Sequence, residues 1–128
     1  MPTWYDQLKK PPFTPPKEIF GKVWAVLYLF IIASLAAYYL APLRPMAGLT
    51  TAILVLHFSA SFSWTTLFFR KKRILPALVD IILIDTSLAL LMFLFARAST
   101  LAALLLVPYF FWGLFAAYLN WGIWRLNR

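Results

Sequence analysis

Apolar residues fall in four long runs, roughly Val23 to Leu43, Met46 to Phe69, Ile74 to Ala96 and Leu101 to Trp124, with polar residues confined to short stretches beside them. Each run is about as long as the roughly 20 residues an α-helix needs to cross the hydrocarbon core of a bilayer. A backbone in hydrocarbon must satisfy its own polar groups, and runs this long and unalternating do so as helices. The pattern predicts an all-α integral membrane bundle of four transmembrane helices over residues 23–124. A proline-rich interfacial strap or lid, residues 1–22, precedes the bundle, and a basic cytoplasmic tail, residues 125–128, follows it.

Composition sharpens this picture. Of the 128 residues 63% are hydrophobic and 12% charged, half the charge of a soluble domain. With no cysteine the chain has neither disulfides nor a thiolate metal site. The first twenty residues hold prolines and charges and no apolar core of the signal-peptide kind, so the amino terminus is expected to stay in place. The net charge of +8 would suggest nucleic acid in a soluble protein, but the positions of the charges point elsewhere. Lys9, Lys10, Lys17, Lys22, Arg70, Lys71, Lys72, Arg73, Arg125 and Arg128 share one side of a four-span chain, and Arg44 and Arg97 fall on the other. The positive-inside rule then places both termini in the cytoplasm. The partner of so apolar a chain is the lipid bilayer, and no nucleic acid is expected.

The spans carry unequal chemistry. Before the first, Lys10-Pro11-Pro12-Phe13-Thr14-Pro15-Pro16 holds the backbone extended. Trp4, Tyr5, Phe13, Trp24 and Tyr28 read either as an interfacial aromatic belt or as a lid over a pocket mouth. The second span places His57, Ser61, Trp64 and Phe68 at i, i+4, i+7 and i+11, one helical face that is either a polar site or a close helix contact. The third carries Asp80 and Asp85, each penalised by about 2.5–3.5 kcal/mol if left facing lipid. Asp80 lies within reach of the basic hairpin or interfacial water. Asp85 is deeper, and His57 stands at matching depth on the other side of that hairpin, so the two form a candidate polar pair. The alternative is a protonated Asp85, or one bonded to a neighbour such as Thr86. In the fourth span Pro108 removes a helical hydrogen bond, and Trp112 sits too deep for a belt residue, lining a cavity or a helix contact.

Together these residues resemble the translocator protein or tryptophan-rich sensory protein family (TspO/MBR). The marks are Trp4-Tyr5 with Lys10-Pro11-Pro12-Phe13 and Pro15-Pro16, Gly21-Lys22-Val23-Trp24 with Tyr28, and Trp64 with Phe68-Phe69. They continue with Ala77-Leu78-Val79-Asp80, Pro108-Tyr109 with Trp112, Leu119-Asn120-Trp121 and Trp124-Arg125-Leu126-Asn127. The family pattern has five spans with the proline-rich segment after the first, so the resemblance implies that the counterpart of that first helix is missing here. It also implies a pocket between the spans that takes porphyrin, haem and other tetrapyrroles, sterol-like lipids and synthetic isoquinoline or benzodiazepine ligands. Matched position by position, the ligand-binding residues would be Trp24, Tyr28, Ser61, Trp64, Asp80, Trp112 and Asn120. The departures are His57 and Ser61 where relatives carry glutamine and asparagine, Pro76, Asp85 in place of an uncharged residue, and Trp121 in place of a tyrosine.

The resemblance thus implies a membrane-embedded binding or sensing protein for tetrapyrroles and sterol-like lipids, expected as a homodimer and without a resident cofactor. Transport of porphyrin, or its light-dependent oxidative degradation through Trp24 and Trp112, would follow from the same pocket. Four short spans with a membrane acid also fit a different class, a small dimeric proton-coupled exporter of hydrophobic cations working through Asp85. A structural subunit with tryptophans as anchors is the third reading.

Overall fold

Pro15 and Pro16 keep the chain extended, and the first helix, α1 (Lys17–Tyr39), starts at the very next residue. The computed structural model describes residues 3–128, so Met1 and Pro2 of the strap lie outside the described residues. Helix α1 begins earlier than the apolar run that predicted it. Lys17, Glu18 and Lys22 are polar but helix-compatible, and hydropathy marks where lipid begins rather than where hydrogen bonding does. The helix also ends before Leu43. The Arg44 guanidinium donates to the carbonyls of Tyr39 and Ala41, at 2.7 and 3.1 Å, meeting acceptors that the helix end leaves free.

Helix α2 (Ala47–Thr65) follows Met46, which adopts a left-handed conformation at φ 58°. Its last turn, Thr66–Arg70, widens into a π-helical turn, closed by the Lys71 N–H on the Thr66 carbonyl. Helix α3 is Ile74–Ala96. The fourth apolar run is broken into α4 (Thr100–Leu105) and α5 (Val107–Asn127), with Pro108 in the first turn of α5. Proline has no N–H for the carbonyl four residues back, so the helix stops at Leu106 and restarts in the geometry a first-turn proline favours. Ser99 caps α4 by accepting the Ala102 N–H at 3.1 Å. Four segments remain long and apolar enough to cross a membrane: Lys17–Tyr39, Ala47–Arg70, Ile74–Ala96 and Thr100–Asn127.

Helix α3 is the centre of the bundle. It packs on α2, α4 and α5, while α1 leans on α4 and α5. Leu88, Leu91 and Phe95 of α3 meet Leu27, Ile31 and Tyr38 of α1 and Ala102 and Leu106 of α4 and its junction. Tyr38 stacks on Phe95 at 4.4 Å, and the Ser34 hydroxyl donates to the Ala102 carbonyl at 2.6 Å. Such contacts matter because lipid chains are as apolar as leucine, leaving close packing and interhelical hydrogen bonds to hold membrane helices together. Leu29, Ile32, Phe93 and Phe111 point outward, as lipid-facing residues do.

The strap folds back across the end of the bundle that carries the second hairpin and the carboxyl terminus. Trp4 meets Phe68 edge-on at 5.5 Å, and Tyr5 lies 5.9 Å from Phe69. Asn127 clasps Lys9, accepting its N–H at 3.0 Å and donating to its carbonyl at 2.8 Å. Tyr118 donates to the Pro12 carbonyl at 2.9 Å, and Lys17 pairs with Asp6 at 3.0 Å. Pro11 lies so close to α5 that a Cβ on Gly122 would stand 2.6 Å from its ring. All the basic residues except Arg44 and Arg97 therefore gather at one end of the molecule.

Three outcomes follow from this arrangement. Cysteines replacing Lys10 and Arg97 should be labelled from opposite sides of sealed vesicles, and labelling from one side would contradict four crossings. Gly122→Leu should cost about 1–3 kcal/mol of stability, the usual scale of overpacking, measured by thermal unfolding in detergent; an unchanged midpoint would contradict the Pro11 contact. The Thr3 backbone N–H, and next Lys17, hold the Asp6 carboxyl down to about 2. Because this lies below the ordinary value of 3.8, the contact is fully present above that pH and is lost as pH falls toward about 2. Proteolysis of the strap should rise across that window and not above it.

Candidate functional site

Phe20, Trp24 and Tyr28 recur every fourth residue on α1, so they share one face. That face looks across a cavity of about 870 Å³ to the second half of α2. Ile81, Ile84 and Asp85 of α3 form the back wall, and Tyr109, Trp112, Gly113, Ala116 and Asn120 of α5 form the side. Thr3, Trp4 and Tyr5 of the strap cover the mouth, where Lys17 and Lys72 also face in. Helices α1 and α2 are tied near the first hairpin by a 2.7 Å contact between the hydroxyls of Tyr39 and Thr51, and the cavity occupies the space between them toward the other end. Tyr28 and Phe62 line it while remaining 47% and 68% exposed, which marks a lateral opening toward lipid.

The walls are aromatic and held edge to face. Trp24 lies 6.4 Å from Trp112 at 86° and 6.2 Å from Tyr109 at 65°, while Phe20 closes on Trp112 at 5.8 Å. Trp64 stacks on Phe68, four residues on, at 5.0 Å. Its indole donates to the Asn120 side-chain oxygen at 2.9 Å, and the Asn120 amide donates to the Ile74 carbonyl at 3.1 Å. Asn120 thus ties α2 to the start of α3 across α5.

Of the residues matched by resemblance, Trp24, Tyr28, Ser61, Trp64, Trp112 and Asn120 line the cavity, and Asp80 does not. Asp80 stands at the edge of the lining face, about 40° around the helix from Ile84 but about 100° from Ile81 and about 140° from Asp85; no ion pair joins it to the basic hairpin among the described residues. The His57–Asp85 pair is also corrected. The His57 ring lies fully buried behind the cavity wall, Nδ1 2.8 Å from the Ser87 hydroxyl and Nε2 2.8 Å from the Tyr109 hydroxyl. Matched depth placed His57 opposite the right turn of α3, but two residues of helix turn through about 200°, so Ser87 faces α2 while Asp85 faces α5. Thr86 does not serve Asp85 either, because its hydroxyl donates to the Ile82 carbonyl at 2.8 Å.

One assignment of protons makes all four contacts around His57 hydrogen bonds. Ser87 gives its one proton to the Ile84 carbonyl at 2.9 Å, so its oxygen accepts from His57 Nδ1–H. Nε2 is then bare and accepts from Tyr109, whose oxygen in turn accepts from Ser61 at 3.3 Å. A single directed chain runs from the cavity wall into the core. Two groups at the cavity stay outside it: Asp85 Oδ1 and Trp112 Nε1 are enclosed and have no hydrogen-bond partner.

Tyr109, Phe20, Ile81, Ile84 and Gly113 also line the cavity and are not among the candidates the sequence offers, although Tyr109 stands in the Pro108-Tyr109 motif. The signal lay in α5, where Tyr109, Trp112, Gly113, Ala116 and Asn120 follow i, i+3, i+4, i+7 and i+11, a stripe of aromatic, small and polar residues in place of branched aliphatics.

His57→Leu is expected to cost about 1–3 kcal/mol, because it leaves the Tyr109 hydroxyl without its acceptor in a buried site. His57→Gln should recover most of that loss, its amide oxygen accepting from Tyr109 and its N–H donating to Ser87. Thermal unfolding in detergent reads both, and equal midpoints for the two variants would contradict the chain.

Comparison with other proteins places the same residues in a wider frame. The TspO/MBR family profile matches residues 1–125. The tryptophan-rich protein TspO of Bacillus cereus is 37% identical over 126 residues, covering 98% of this chain and 81% of that protein. The tryptophan-rich sensory protein of Cereibacter sphaeroides is 36% identical over 124 residues, covering 97% and 77%, and the human translocator protein 33% identical over 132 aligned positions, covering 98% and 75%. With four apolar helices, a strapped aromatic cavity and similarity along nearly its whole length, this chain is an integral, multi-pass membrane protein and belongs to the TspO/MBR family.

Proposed function

We propose that the cavity binds tetrapyrroles such as porphyrin or haem, with sterol-like lipids as a second class of occupant, and that this binding serves sensing or transport in the membrane. The observation that carries the reading is the wall formed by Trp24, Tyr109 and Trp112 around a space of about 870 Å³. Binding sites for small molecules are concave, mostly apolar and fitted with a few placed polar groups, and flat aromatic walls suit a planar macrocycle. Lys72 at the mouth offers a cation to the carboxylates at a porphyrin's edge. The lateral opening beside Tyr28 and Phe62 gives a lipid-dissolved ligand a way in without crossing water.

Relatives named as a sensory protein and as a translocator protein support the same reading. Light-dependent porphyrin breakdown at Trp24 and Trp112 is an extension of it. The proton-coupled exporter loses its expected His57–Asp85 contact and has no family likeness in its favour.

Protoporphyrin titrated into the purified protein should quench tryptophan fluorescence saturably. Replacing Trp24 and Trp112 together by phenylalanine should weaken binding by about tenfold, since the two indoles supply much of the aromatic wall. It should also slow light-dependent loss of bound porphyrin. Affinity and photochemistry that both survive the double replacement would contradict the assignment.

A further inference from the structure

Among the described residues Asp85 is the one acidic side chain that lines the inner wall of the cavity, and no ion pair there answers its charge. It is 8% exposed, and its enclosed Oδ1 has no hydrogen-bond partner. Three of the hydroxyls near it are committed elsewhere: Tyr109 bonds His57, Ser61 bonds Tyr109, and Thr86 bonds within α3. The cations that reach the cavity, Lys17 and Lys72, are at its mouth, and Lys17 is held by Asp6. Asp85 lies eleven residues into α3 from Ile74, about 17 Å deeper at 1.5 Å per residue. On α5 the residue facing it is Gly113, where an added Cβ would run into Oδ1. The glycine leaves the carboxyl room to stand at the wall, and the unpartnered Trp112 N–H is its neighbour in sequence.

We propose that Asp85 is a recognition subsite for the protonated nitrogen or N–H donor at the inner end of a flat apolar ligand. A buried carboxyl without a partner is costly in low dielectric, whereas a ligand cation or N–H donor completes it with a charge-assisted hydrogen bond. The apolar walls hold the body of such a ligand, and Asp85 reads the element that separates an aza-aromatic amine from a hydrocarbon of the same shape. A site that hydrogen-bonds a ligand group rejects the analogue lacking it, because its own polar group is then left unpaired. The protein's net charge of +8 opposes cations in general, so a preference for one has to come from a local acid. The proposal rests on the cavity being a ligand site, and not on the ligand being a tetrapyrrole.

The test uses two flat tricyclic probes, aminoacridinium and the hydrocarbon anthracene, titrated into the full chain in a non-ionic detergent. The unchanged protein should bind aminoacridinium at least about tenfold more tightly, and in Asp85→Asn that ratio should fall to about one. Equal affinities in the unchanged protein, or a preference that survives Asp85→Asn, would overturn the proposal. A second measurement avoids changing Asp85. With Asp6→Asn, Glu18→Gln and Asp80→Asn combined, Asp85 is the last of the four acidic side chains, and its infrared carboxyl band should shift with aminoacridinium and not with anthracene. An unmoved band would overturn the proposal as well. Protoporphyrin titrated into the same samples separates the two readings. Absent porphyrin binding with the amine preference intact removes the tetrapyrrole assignment and leaves the subsite standing, and the converse removes the subsite alone.

Discussion

Hydrocarbon offers no hydrogen bonds, so a polar side chain within the spans has to be met from within the protein, by its own helix or by another. The interior of this bundle is organised by that demand. Ser34 reaches the Ala102 carbonyl at the break between α4 and α5, Asn120 joins Trp64 to the start of α3, and His57 is held between Ser87 and Tyr109. Each of these contacts crosses from one helix to another, and together they fix the rotation of α2, α3 and α5 about their axes. That rotation turns Trp24, Tyr109 and Trp112 toward one space. Four enclosed polar atoms among the described residues are left without a partner, Tyr38 Oη, Asp80 Oδ2, Asp85 Oδ1 and Trp112 Nε1, and the last two belong to residues that line the cavity.

Regular helix is interrupted at two places around the cavity, Thr66–Arg70 and the break between α4 and α5. The π turn at Thr66–Arg70 brings Phe68 and Phe69 under Trp4 and Tyr5, giving the strap an aromatic seat. Pro108 separates α4 from α5, and the short α4 packs against both α1 and α3 while the longer α5 runs mainly along α3. The strap then lies over the mouth, held by Asn127, Tyr118 and the close approach of Pro11 to Gly122. Departures from ideal helix geometry at functional sites are common in membrane proteins, where irregular backbone is tolerated if it lines a cavity.

Much of the fold was legible because its signals are local. Four apolar runs of bilayer length, the Pro15-Pro16 stop and the clustering of lysine and arginine each depend on a few neighbouring residues. Depth was legible too, since rise per residue is constant, and His57 indeed stands opposite the turn of α3 that carries Asp85 and Ser87. Azimuth was not. Whether Asp85 or Ser87 faces His57 depends on how three helices rotate together, and a shift of two residues moves a side chain to the opposite face. The same uncertainty misplaced Asp80, one position from the lining residue Ile81. Tyr109 escaped because its aromatic ring suited a membrane belt as well as a wall. Its role shows once His57 and Ser61, about fifty residues earlier in the chain, are seen at its hydroxyl.

The central claim is that the space between α1, α2, α3 and α5 is where a planar ligand sits. A structure determined by electron microscopy or crystallography with protoporphyrin bound tests it most directly. The account predicts the macrocycle inside the bundle beneath the strap, its plane against Trp24 and Trp112. A macrocycle lying on the outer surface, against lipid-facing residues such as Leu29, Phe93 or Phe111, would contradict it.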